Sequence, residues 1–492
     1  MTAVPRMYKP TWDSLKNVRD SEWLMDAKFG LYAHWGLYAV PASGNEWYGK
    51  RMYEPSNPVH LEHCERFGNP SSFGYKDFIP HFTAEHFDAV DWATLFAESG
   101  ARYGGFSLAH HDGFGLWDSD VHRWCAGKMG PKRDLYGEFA KALRTRNMKL
   151  VAPFHILRCF DWWLPGSNAW NESGTNDETE TGRAEGWDLF DPEYADLYWN
   201  HVTGTYGDFV ASWKARVLEV VDRYAPDLLW FDGGRFQDSE AARPSLEILS
   251  HYFNDAAEAG RDVAVLNKCT GRSQFNFPQE MCTWTFENGR SRPPITANLW
   301  VDDMKIGSQS WGYVNGQTYL SGREITHGLI DRVSRGGGLL LSLSPKADGT
   351  IPQGQRDTLR ETGTWLNQNG EAIYATRPWG ASGEGPNSGF RPKPNQGHAG
   401  WDYLNYTADD IRYTQSKDGK KLYAIAFGWP GKTLRLSLVS PLSGLLSSAV
   451  ENVSLLDGGT CKWEQRVDCL YIDLAGIEPV NDVAPAWCID LA

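Results

Sequence analysis

The chain is short of the features that mark membrane proteins and nucleic-acid-binding proteins. It contains no apolar run of about 20 residues, so no segment is predicted to span a membrane. Its net charge is −14 and no stretch is rich in lysine and arginine, which excludes the usual basic surface for a phosphate backbone or an anionic lipid layer. We therefore expect neither nucleic acid nor a membrane as a partner.

Two further absences concern processing and metal sites. The first twenty residues lack the apolar centre of a secretory signal, which predicts a cytoplasmic protein, or a secreted one from which a signal has been removed. None of the eight cysteines forms a CxxC pair, so we expect reduced thiols and no zinc site. A disulfide between Cys461 and Cys469, which flank a predicted hairpin, is the less favoured alternative.

What the chain has in abundance is length and tryptophan. Its 492 residues allow a large core and more than one domain, and a hydrophobic content of 41% is typical of globular proteins. It holds 23 tryptophans, most of which we expect in the core. Aromatic faces also pack against the C–H faces of a pyranose ring, so the composition is compatible with a sugar site.

Strand-like and helix-like segments alternate over the first three quarters of the chain. Buried-strand patterns such as FGLYAHWG and LVAPFHIL alternate with amphipathic segments such as FTAEHFDAVDWATLFAESGA, for which Thr83 is the predicted N-cap. About eight such units over roughly 340 residues favour a (β/α)₈ barrel over the alternative, an open doubly wound sheet. No GxGxxG follows the first strand, which argues against a dinucleotide site.

The last part of the chain has a different pattern. Short alternating segments separated by turn residues predict an antiparallel β-sandwich; they read IRYTQ, KLYAIAF, TLRLSLV, AVENVSLL and CLYIDL. We place the barrel domain over residues 1–372 and the sandwich over residues 373–492. Trp401, Tyr403 and Tyr406 suggest glycan binding by the sandwich, but core packing is the favoured interpretation of these aromatic residues.

The segment LLWFDGG, residues 228–234, carries the strongest functional signal. An apolar, β-prone run delivers Asp232 directly onto a glycine pair, so a strand ends in a carboxylate. Burying an unpaired carboxylate costs several kcal/mol or more, and a strand that ends in one usually has a use for the charge. The alternative is that Asp232 caps a helix or makes a turn.

Polar and titratable side chains also follow the other predicted strands. In a parallel barrel the carboxyl ends of the strands converge on the face where active sites lie. The residues at these ends, or on the loops just beyond them, are His34, Glu46, Trp47, His110, His111, Asp112, His155, Asp232, Asn267, Lys268 and Glu287. A single histidine is more often structural than catalytic, but four of them beside two carboxylates favour a site.

Two carboxylates on opposing strands suit the hydrolysis of a glycosidic bond. One attacks or stabilises the anomeric carbon, while the other protonates the leaving oxygen and then activates water. Neutral imidazole both donates and accepts hydrogen bonds, which suits a sugar hydroxyl. Because these carboxylates are not spaced as a ligand cluster and the reaction needs no cofactor, we expect neither metal nor cofactor.

The chain resembles the α-L-fucosidases of glycoside hydrolase family 29. The segments that carry the resemblance lie between Asp26 and Trp379 in the family's order; they are DAKFGLYAHWGLYAVPASGNEWY, FTAEHFDAVDWATLFAESGARY, HHDGFGLWDS, GPKRDL, PDLLWFDGG, IGSQSWGY, GGGLLLSLSPKADGTIP and WLNQNGEAIYATRPW. The resemblance implies a catalytic barrel followed by a β-sandwich. It also implies a retaining hydrolase of terminal α-L-fucosyl linkages, acting on a fucosylated oligosaccharide or glycoconjugate.

The resemblance further implies roles for individual residues. Asp232, the aspartate of the WFDG motif, corresponds to the nucleophile, and Glu287 occupies the place of the carboxylic acid/base. The residues that correspond to sugar-binding positions are His34, Glu46, Trp47, His110, His111 and Trp311. His155 stands where members often carry a tyrosine that contacts the sugar, so we expect it to line the site as well.

The chain departs from the family's pattern near the acid/base and near the nucleophile. A Trp-Glu pair is replaced by WVDD at residues 300–303, so Asp302 and Asp303 compete with Glu287 for the acid/base role, and Glu54 is a more distant candidate. An Asn-Asp-Arg stretch is replaced by NKC at residues 267–269. The cation that supports the nucleophile is then either Lys268 or the later Arg272.

Two other functions stay open on the sequence. A catalytically inactive, carbohydrate-binding barrel is disfavoured because Asp232 and Glu287 are both present. An α-L-galactosidase would use the same mechanism, because L-galactose differs from L-fucose by one hydroxyl at C6. A small apolar pocket for the C5 methyl would favour fucose, since such a pocket discriminates by about 1–3 kcal/mol.

Overall fold

The first part of the chain folds as a closed parallel barrel. The computed structural model describes residues 7–166, 177–234, 236, 240–271, 274–289, 299–388, 406–478 and 482–492. Within these residues the strands of the barrel sheet are β1 Phe29–Ala33, β2 Tyr103–Gly105, β3 Lys149–Phe154, β4 Leu228–Phe231, β5 Ala264–Gly271, β6 Gln274–Phe275, β7 Thr283–Glu287, β8 Trp300–Lys305 and β9 Gly337–Leu343. They hydrogen-bond in the order β4-β3-β2-β1-β9-β8-β7-β5, and β4 also pairs with β5, which closes the barrel and excludes the open sheet.

Helices pack around this barrel. In the described part of the chain they are α1 Trp12–Leu15, α2 Glu22–Ala27, α3 Tyr48–Arg51, α4 Pro58–Phe67, α5 Ala89–Glu98, α6 Leu135–Arg144, α7 Asp177–Glu185, α8 Ala195–Tyr198, α9 Tyr206–Tyr224, α10 Ala242–Glu258, α11 Gly322–Ser334 and α12 Gln353–Asn369. Between β5 and β7 the described residues form the β6 hairpin and no helix. The predicted (β/α)₈-type barrel is thus confirmed, with a hairpin in place of one crossover helix.

The barrel strands are buried on both faces, as expected when helices cover a parallel sheet. Every residue of β1, β8 and β9 is buried. The side chains that fill the interior include Tyr32, Tyr103, Val151, Trp230, Leu266, Val301 and Leu340. Because successive side chains of a strand point to opposite faces, every second residue faces this interior.

The start of α5 differs from the prediction. Its N-cap is Asp88, whose carboxylate accepts hydrogen bonds from the amides of Val90 and Asp91, so Thr83 as the cap was wrong. The stretch before Asp88 is extended and turn-like because it is tied to the loop that follows β9. There the amide of Ala84 donates to the Ala347 carbonyl oxygen at 3.1 Å.

The last part of the chain forms two antiparallel sheets. Its strands are β10 Arg377–Glu384, β11 Ile411–Gln415, β12 Lys421–Ala426, β13 Thr433–Leu436, β14 Val450–Leu455, β15 Gly459–Thr460, β16 Lys462–Gln465, β17 Leu470–Asp473 and β18 Ala486–Leu491. One sheet has the order β10-β11-β12-β18-β14-β15 and the other β13-β17-β16. Residues of both sheets, among them Tyr413, Leu434, Ile472 and Trp487, share one core, so the predicted sandwich is confirmed.

A buried polar contact joins the sandwich to the barrel. Asp331 on α11 accepts hydrogen bonds from the Tyr406 hydroxyl and from Nε of Arg412, each at 3.0 Å. Tyr406 is buried and stacks on Phe427, with ring centroids 4.3 Å apart, which agrees with the core interpretation. Two other predicted aromatic candidates, Trp401 and Tyr403, lie outside the described residues.

Two sequence expectations about cysteines and membranes can be compared with the structure. All eight cysteines are free thiols, so the alternative disulfide between Cys461 and Cys469 is not formed. The helices of the described segments are each too short or too polar to cross a bilayer.

Candidate active site

One cavity at the carboxyl ends of the barrel strands gathers the predicted site residues. Its volume is about 320 Å³. All nine residues proposed for catalysis or sugar binding line it, namely His34, Glu46, Trp47, His110, His111, His155, Asp232, Glu287 and Trp311. The cavity is also lined by Asn45, Arg51, Arg158, Lys268 and Asp303.

Three of the lining residues were missed by the sequence analysis. Asn45 and Arg51 lie on the long connection after β1, and Arg158 ends a short 3-10 helix, Ile156–Arg158, that follows β3. Asn45 adjoins the predicted Glu46 and Arg158 follows the predicted His155 by three positions, so proximity in the chain was the only available signal. Polar residues on the connections between strands and helices are usually solvated surface residues, and nothing in the sequence distinguishes these three from other such residues.

Backbone hydrogen bonds extend the sheet register past the strand ends and position the site residues. The amide of His155 donates to the Ala109 carbonyl oxygen at 3.1 Å, and the amide of Asp232 donates to that of Phe154 at 2.9 Å. His155 and Asp232 therefore each lie one residue beyond the end of a paired strand. Strands that end at the same level of a barrel deliver such residues into one space.

Asp232 is a buried carboxylate held among cations and histidines. Lys268 Nζ forms an ion pair with its Oδ1, while its Oδ2 lies 3.6 Å from Nε2 of His111 and 3.7 Å from Nη1 of Arg158. Burial raises the pKa of Asp232, but the positive charges of Lys268 and Arg158 more than offset this and hold that pKa well below its usual value. Asp232 is therefore an anion at neutral pH, which the expected role of nucleophile requires.

Lys268 contacts the second carboxylate as well. Its Nζ lies 3.1 Å from Oε2 of Glu287. Burial lowers the pKa of Lys268, but the charges of Asp232 and Glu287 raise it above its usual value, so the ammonium group keeps its proton. One ammonium contacts both carboxylates, so their nearest oxygens are separated by at most about 6 Å, twice a charge-assisted hydrogen bond. The alternative cation, Arg272, lies outside the described residues.

The rival acid/base residues lie on opposite sides of the barrel wall. Asp303 lines the cavity and accepts a hydrogen bond from the Tyr32 hydroxyl at 2.8 Å. Asp302 points outward, where its Oδ2 accepts from Nε of Arg332 on α11 at 2.7 Å. Burial, assisted by the negative charge of Glu287, raises the pKa of Asp303 well above its usual value, which favours the protonated form of Asp303.

Glu54, the more distant acid/base candidate, is not brought to the cavity. Its Oε1 lies 3.7 Å from Nζ of Lys50, and its Oε2 accepts a hydrogen bond from Nδ2 of Asn57 at 3.0 Å. Both partners belong to the same connection after β1. Glu54 is therefore engaged in local structure.

The four histidines form one group of neutral rings. The His34 and His155 ring centroids are 4.9 Å apart, and those of His110 and His111 are 4.3 Å apart. Burial lowers the pKa of all four, to about 4 for His111 and to about 3 for His155. A neutral imidazole has one nitrogen that donates and one that accepts, so the group as a whole can offer both kinds of hydrogen bond to sugar hydroxyls.

Hydrogen bonds hold the imidazole rings in place. Nδ1 of His34 lies 2.8 Å from Oγ of Ser342, and Nδ1 of His155 lies 2.9 Å from Oγ of Ser107. Nδ1 of His111 lies 2.6 Å from the His155 carbonyl oxygen, which can only accept, so that nitrogen carries the proton. Nε2 of His111 is then the acceptor that faces the cavity.

Two tryptophans form aromatic walls, and Glu46 fixes one of them. Oε2 of Glu46 accepts hydrogen bonds from the Ser310 hydroxyl at 3.0 Å and from the Trp311 amide at 3.1 Å. The Trp311 ring lies 5.0 Å from the His34 ring, and the Trp47 ring contacts the His111 ring edge-on at 5.6 Å. Such walls suit the apolar faces of a sugar ring.

Two residues noted at the strand ends turn away from the cavity. Asn267 points outward from β5 and donates to the carbonyl oxygens of Phe277 and Met281 at 3.2 and 3.1 Å, which shapes the connection to β7. Asp112 accepts from the Tyr75 hydroxyl at 2.7 Å. A polar residue at a strand end is thus directed into the site only when the alternation of the strand or the following turn allows it.

Two facing carboxylates at the carboxyl end of a closed parallel barrel, beside aromatic walls and neutral histidines, form the active site of a glycoside hydrolase. The sequence model of the family described as Alpha-L-fucosidase matches residues 1–371, and that described as Alpha-L-fucosidase C-terminal domain matches residues 405–492. The chain belongs to the alpha-L-fucosidase family.

Individual relatives agree over nearly the whole chain. The tissue alpha-L-fucosidases of Rattus norvegicus and Homo sapiens are each 30% identical over 499 residues, which cover 99% of this chain and 93% and 92% of theirs. A Thermotoga maritima alpha-fucosidase in complex with a mechanism-based inhibitor superposes with a TM-score of 0.74 at 25% identity, and one in complex with fucose with a TM-score of 0.71 at 26% identity. Both superpositions cover 98% of this chain and 100% of the other.

Proposed function

We propose that the protein is a retaining exo-α-L-fucosidase that removes terminal α-L-fucosyl residues from glycans by double displacement. The observation that carries the retaining mechanism is the contact of one ammonium group, Lys268, with both Asp232 and Glu287. Carboxyl groups about 5–5.5 Å apart allow direct attack on the anomeric carbon, whereas inverting enzymes separate them by about 6.5–9.5 Å to admit water. The shared cation supports the closer spacing.

In the first step Asp232 attacks C1 of the fucosyl residue through a carboxylate oxygen. The bond from C1 to the glycosidic oxygen breaks, and that oxygen takes the proton of Glu287 and departs with the rest of the glycan as an alcohol, so Glu287 remains as a carboxylate. In the second step Glu287 accepts a proton from water, the water oxygen attacks C1, and Asp232 departs as an anion. Two inversions at C1 give net retention.

The position of Lys268 helps Glu287 change from acid to base between the two steps. In the free enzyme its ammonium group contacts the carboxylate of Asp232 and the carboxyl group of Glu287. Once Asp232 is esterified, that negative charge is gone and Glu287 is the partner in direct contact with Lys268. The loss of a neighbouring anion beside the retained cation stabilises the Glu287 carboxylate, which favours the base needed for the second step.

The histidines and tryptophans of the cavity bind the sugar in this proposal. The histidine group supplies neutral donors and acceptors for the ring hydroxyls, and Trp47 and Trp311 cover apolar faces. The relatives in the comparisons are named for α-L-fucose, which supports a fucosyl rather than a galactosyl substrate. Comparing nitrophenyl α-L-fucoside with nitrophenyl α-L-galactoside tests this choice, and a higher kcat/KM for the galactoside would contradict it.

The test of the mechanism is the variant Asp232→Ala. We expect kcat on nitrophenyl α-L-fucoside to fall by about 10³-fold or more, because the covalent intermediate cannot form, while the folded structure persists. Wild-type kcat in Asp232→Ala would end the assignment. NMR of the first-formed fucose anomer tests the retaining mechanism separately from the hydrolase activity. α-L-Fucose supports retention, whereas β-L-fucose would refute retention without refuting the hydrolase activity.

A further inference from the structure

Two hydrogen-bond donors line the cavity without an acceptor among the residues that the structure describes. The Oδ1 of Asn45 accepts the amide proton of Trp47 at 2.9 Å, which orients the side-chain amide so that its Nδ2 is left to donate. Arg51, which ends α3, is half-buried and also lines the cavity. Within the described residues, neither Asn45 Nδ2 nor the Arg51 guanidinium has a hydrogen-bond or ion-pair partner.

The other cations of this region are neutralised or bonded. Lys268 pairs with Asp232 and Glu287, and Arg158 lies 3.7 Å from Asp232 and donates to the Gly233 carbonyl oxygen at 2.8 Å. Among the residues that the structure describes, Arg51 has no such partner, although the chain carries 62 Asp and Glu residues against 48 Lys and Arg. A half-buried guanidinium without a counter-ion in an acidic protein is available to an anion supplied from outside.

The chemistry of these two groups selects for an anion. An arginine side chain only donates, and its planar fork matches the paired oxygens of a carboxylate or a sulfate. The oriented Nδ2 of Asn45 adds another donor beside the Trp47 wall. The mechanism proposed above assigns no role to either residue.

We propose that Asn45 and Arg51 form a subsite for an anionic substituent of the glycan, a sulfate ester or a uronate carboxylate. The substituent is carried either by the fucosyl residue itself or by the sugar linked to it. This proposal rests on the proposed fucosidase function and specifies the substrate class of the same site. It makes the preferred substrates acidic fucosylated glycans.

The test compares wild-type kcat/KM on four substrates. These are nitrophenyl α-L-fucoside, the same glycoside with sulfate on the fucosyl ring, a fucosyl disaccharide with a neutral neighbour, and the matching disaccharide with a uronate neighbour. We expect one acidic substrate to exceed its neutral counterpart by about tenfold or more, as one charge-assisted bidentate contact provides. The sulfate arm identifies the fucosyl residue as the carrier, and the uronate arm identifies its neighbour.

The variant Arg51→Gln should abolish this preference by lowering kcat/KM on the acidic substrate, and Arg51→Lys should restore part of it. Arg243→Gln is the matched control, because it removes the same charge from a side chain that is 88% exposed on α10. It should keep the full preference. A wild-type enzyme without preference in either arm, or equal losses on neutral and acidic substrates in Arg51→Gln, would overturn the subsite.

Failure of the subsite and failure of the fucosidase assignment give different results. Wild-type turnover of the neutral nitrophenyl α-L-fucoside reports the activity alone. Its absence would remove the assignment and the subsite with it, whereas turnover without acidic preference removes only the subsite. Added sodium chloride should reduce the preference of the wild-type enzyme, because a half-buried charge contact is partly screened.

Discussion

Asp302 and Asp303 are neighbours in strand β8, yet their carboxylates lie on opposite sides of the barrel wall. Asp303 accepts the Tyr32 hydroxyl at 2.8 Å beside the cavity, whereas Asp302 is ion-paired with Arg332 beneath α11. Side chains of a strand alternate between its two faces, so adjacent residues cannot share one. The sequence left both as acid/base candidates, but the geometry places only Asp303 near a substrate.

The outward position of Asp302 predicts a structural effect of its removal. Asp302→Ala removes the carboxylate that is paired with the buried Arg332, and we expect the free energy of unfolding to fall by about 3–5 kcal/mol. Urea denaturation measures this loss, and the double variant Asp302→Ala/Arg332→Met should recover part of it. A folded Asp302→Ala enzyme with kcat reduced 100-fold and unchanged stability would show instead that Asp302 takes part in catalysis.

Glu287 and Asp303 are distinguished by their response to leaving groups. For Glu287→Ala we expect a large loss of kcat on natural glycosides and a smaller one on nitrophenyl α-L-fucoside, whose leaving group needs little protonation. Azide should restore turnover by replacing the activated water. Asp303→Asn keeps the hydrogen bond with Tyr32 and should show no azide rescue. The reverse pattern would assign the acid/base role to Asp303.

The pKa of Asp232 predicts a change in pH dependence for Lys268→Met. Lys268 lowers that pKa while burial raises it, so removing the lysine should raise it. Since Asp232 acts as an anion, the acidic limb of kcat/KM on nitrophenyl α-L-fucoside should move to higher pH by at least about one unit. Lys214→Met, which removes an ammonium paired with Glu247 outside the site, is the control and should leave the limb in place. An unmoved limb in Lys268→Met would refute the role of Lys268.

Wild-type stability should respond to the same ion pair only at strongly acidic pH. A carboxylate whose pKa is depressed on folding contributes stability above its unfolded pKa, about 3.9 for aspartate, and loses it as pH falls through the lower folded pKa. The Asp232–Lys268 pair therefore persists at pH 5. Any loss of stability between pH 7 and pH 5 has to come from other groups.

The buried histidines are such groups, and His155 provides a measurable case. Its pKa is about 3 in the folded protein and about 6.5 when unfolded, so between these values the unfolded chain binds a proton that the folded protein does not. The free energy of unfolding should fall on acidification by about 1.4 kcal/mol per pH unit for this residue. Between pH 7 and pH 5, His155→Asn should lose about 2 kcal/mol less than the wild type in urea denaturation. An unchanged pH slope would contradict the lowered pKa.

Much of the site was predictable because short stretches of sequence specify where each parallel strand ends. An apolar run that ends at Asp232 and two glycines specifies a strand end, and barrel closure brings that end to those at His34 and His155. The same local reasoning over-predicted Asn267, which alternates outward, and missed Arg51, whose connection has no regular pattern.

The amino-acid sequence by itself determined the barrel, the sandwich after it and eight of the nine predicted residues around the cavity, while Trp311 came only from the resemblance to the family. Hydrophobic periodicity, strand-end residues and turn glycines are local signals, and they survive without knowledge of distant neighbours. Only the tertiary structure decided that Lys268 forms ion pairs with both Asp232 and Glu287, and that Asp302 forms one with Arg332. Ion pairs of this kind link residues far apart in the chain, and their energies depend on burial and distance, which arise only when the barrel closes.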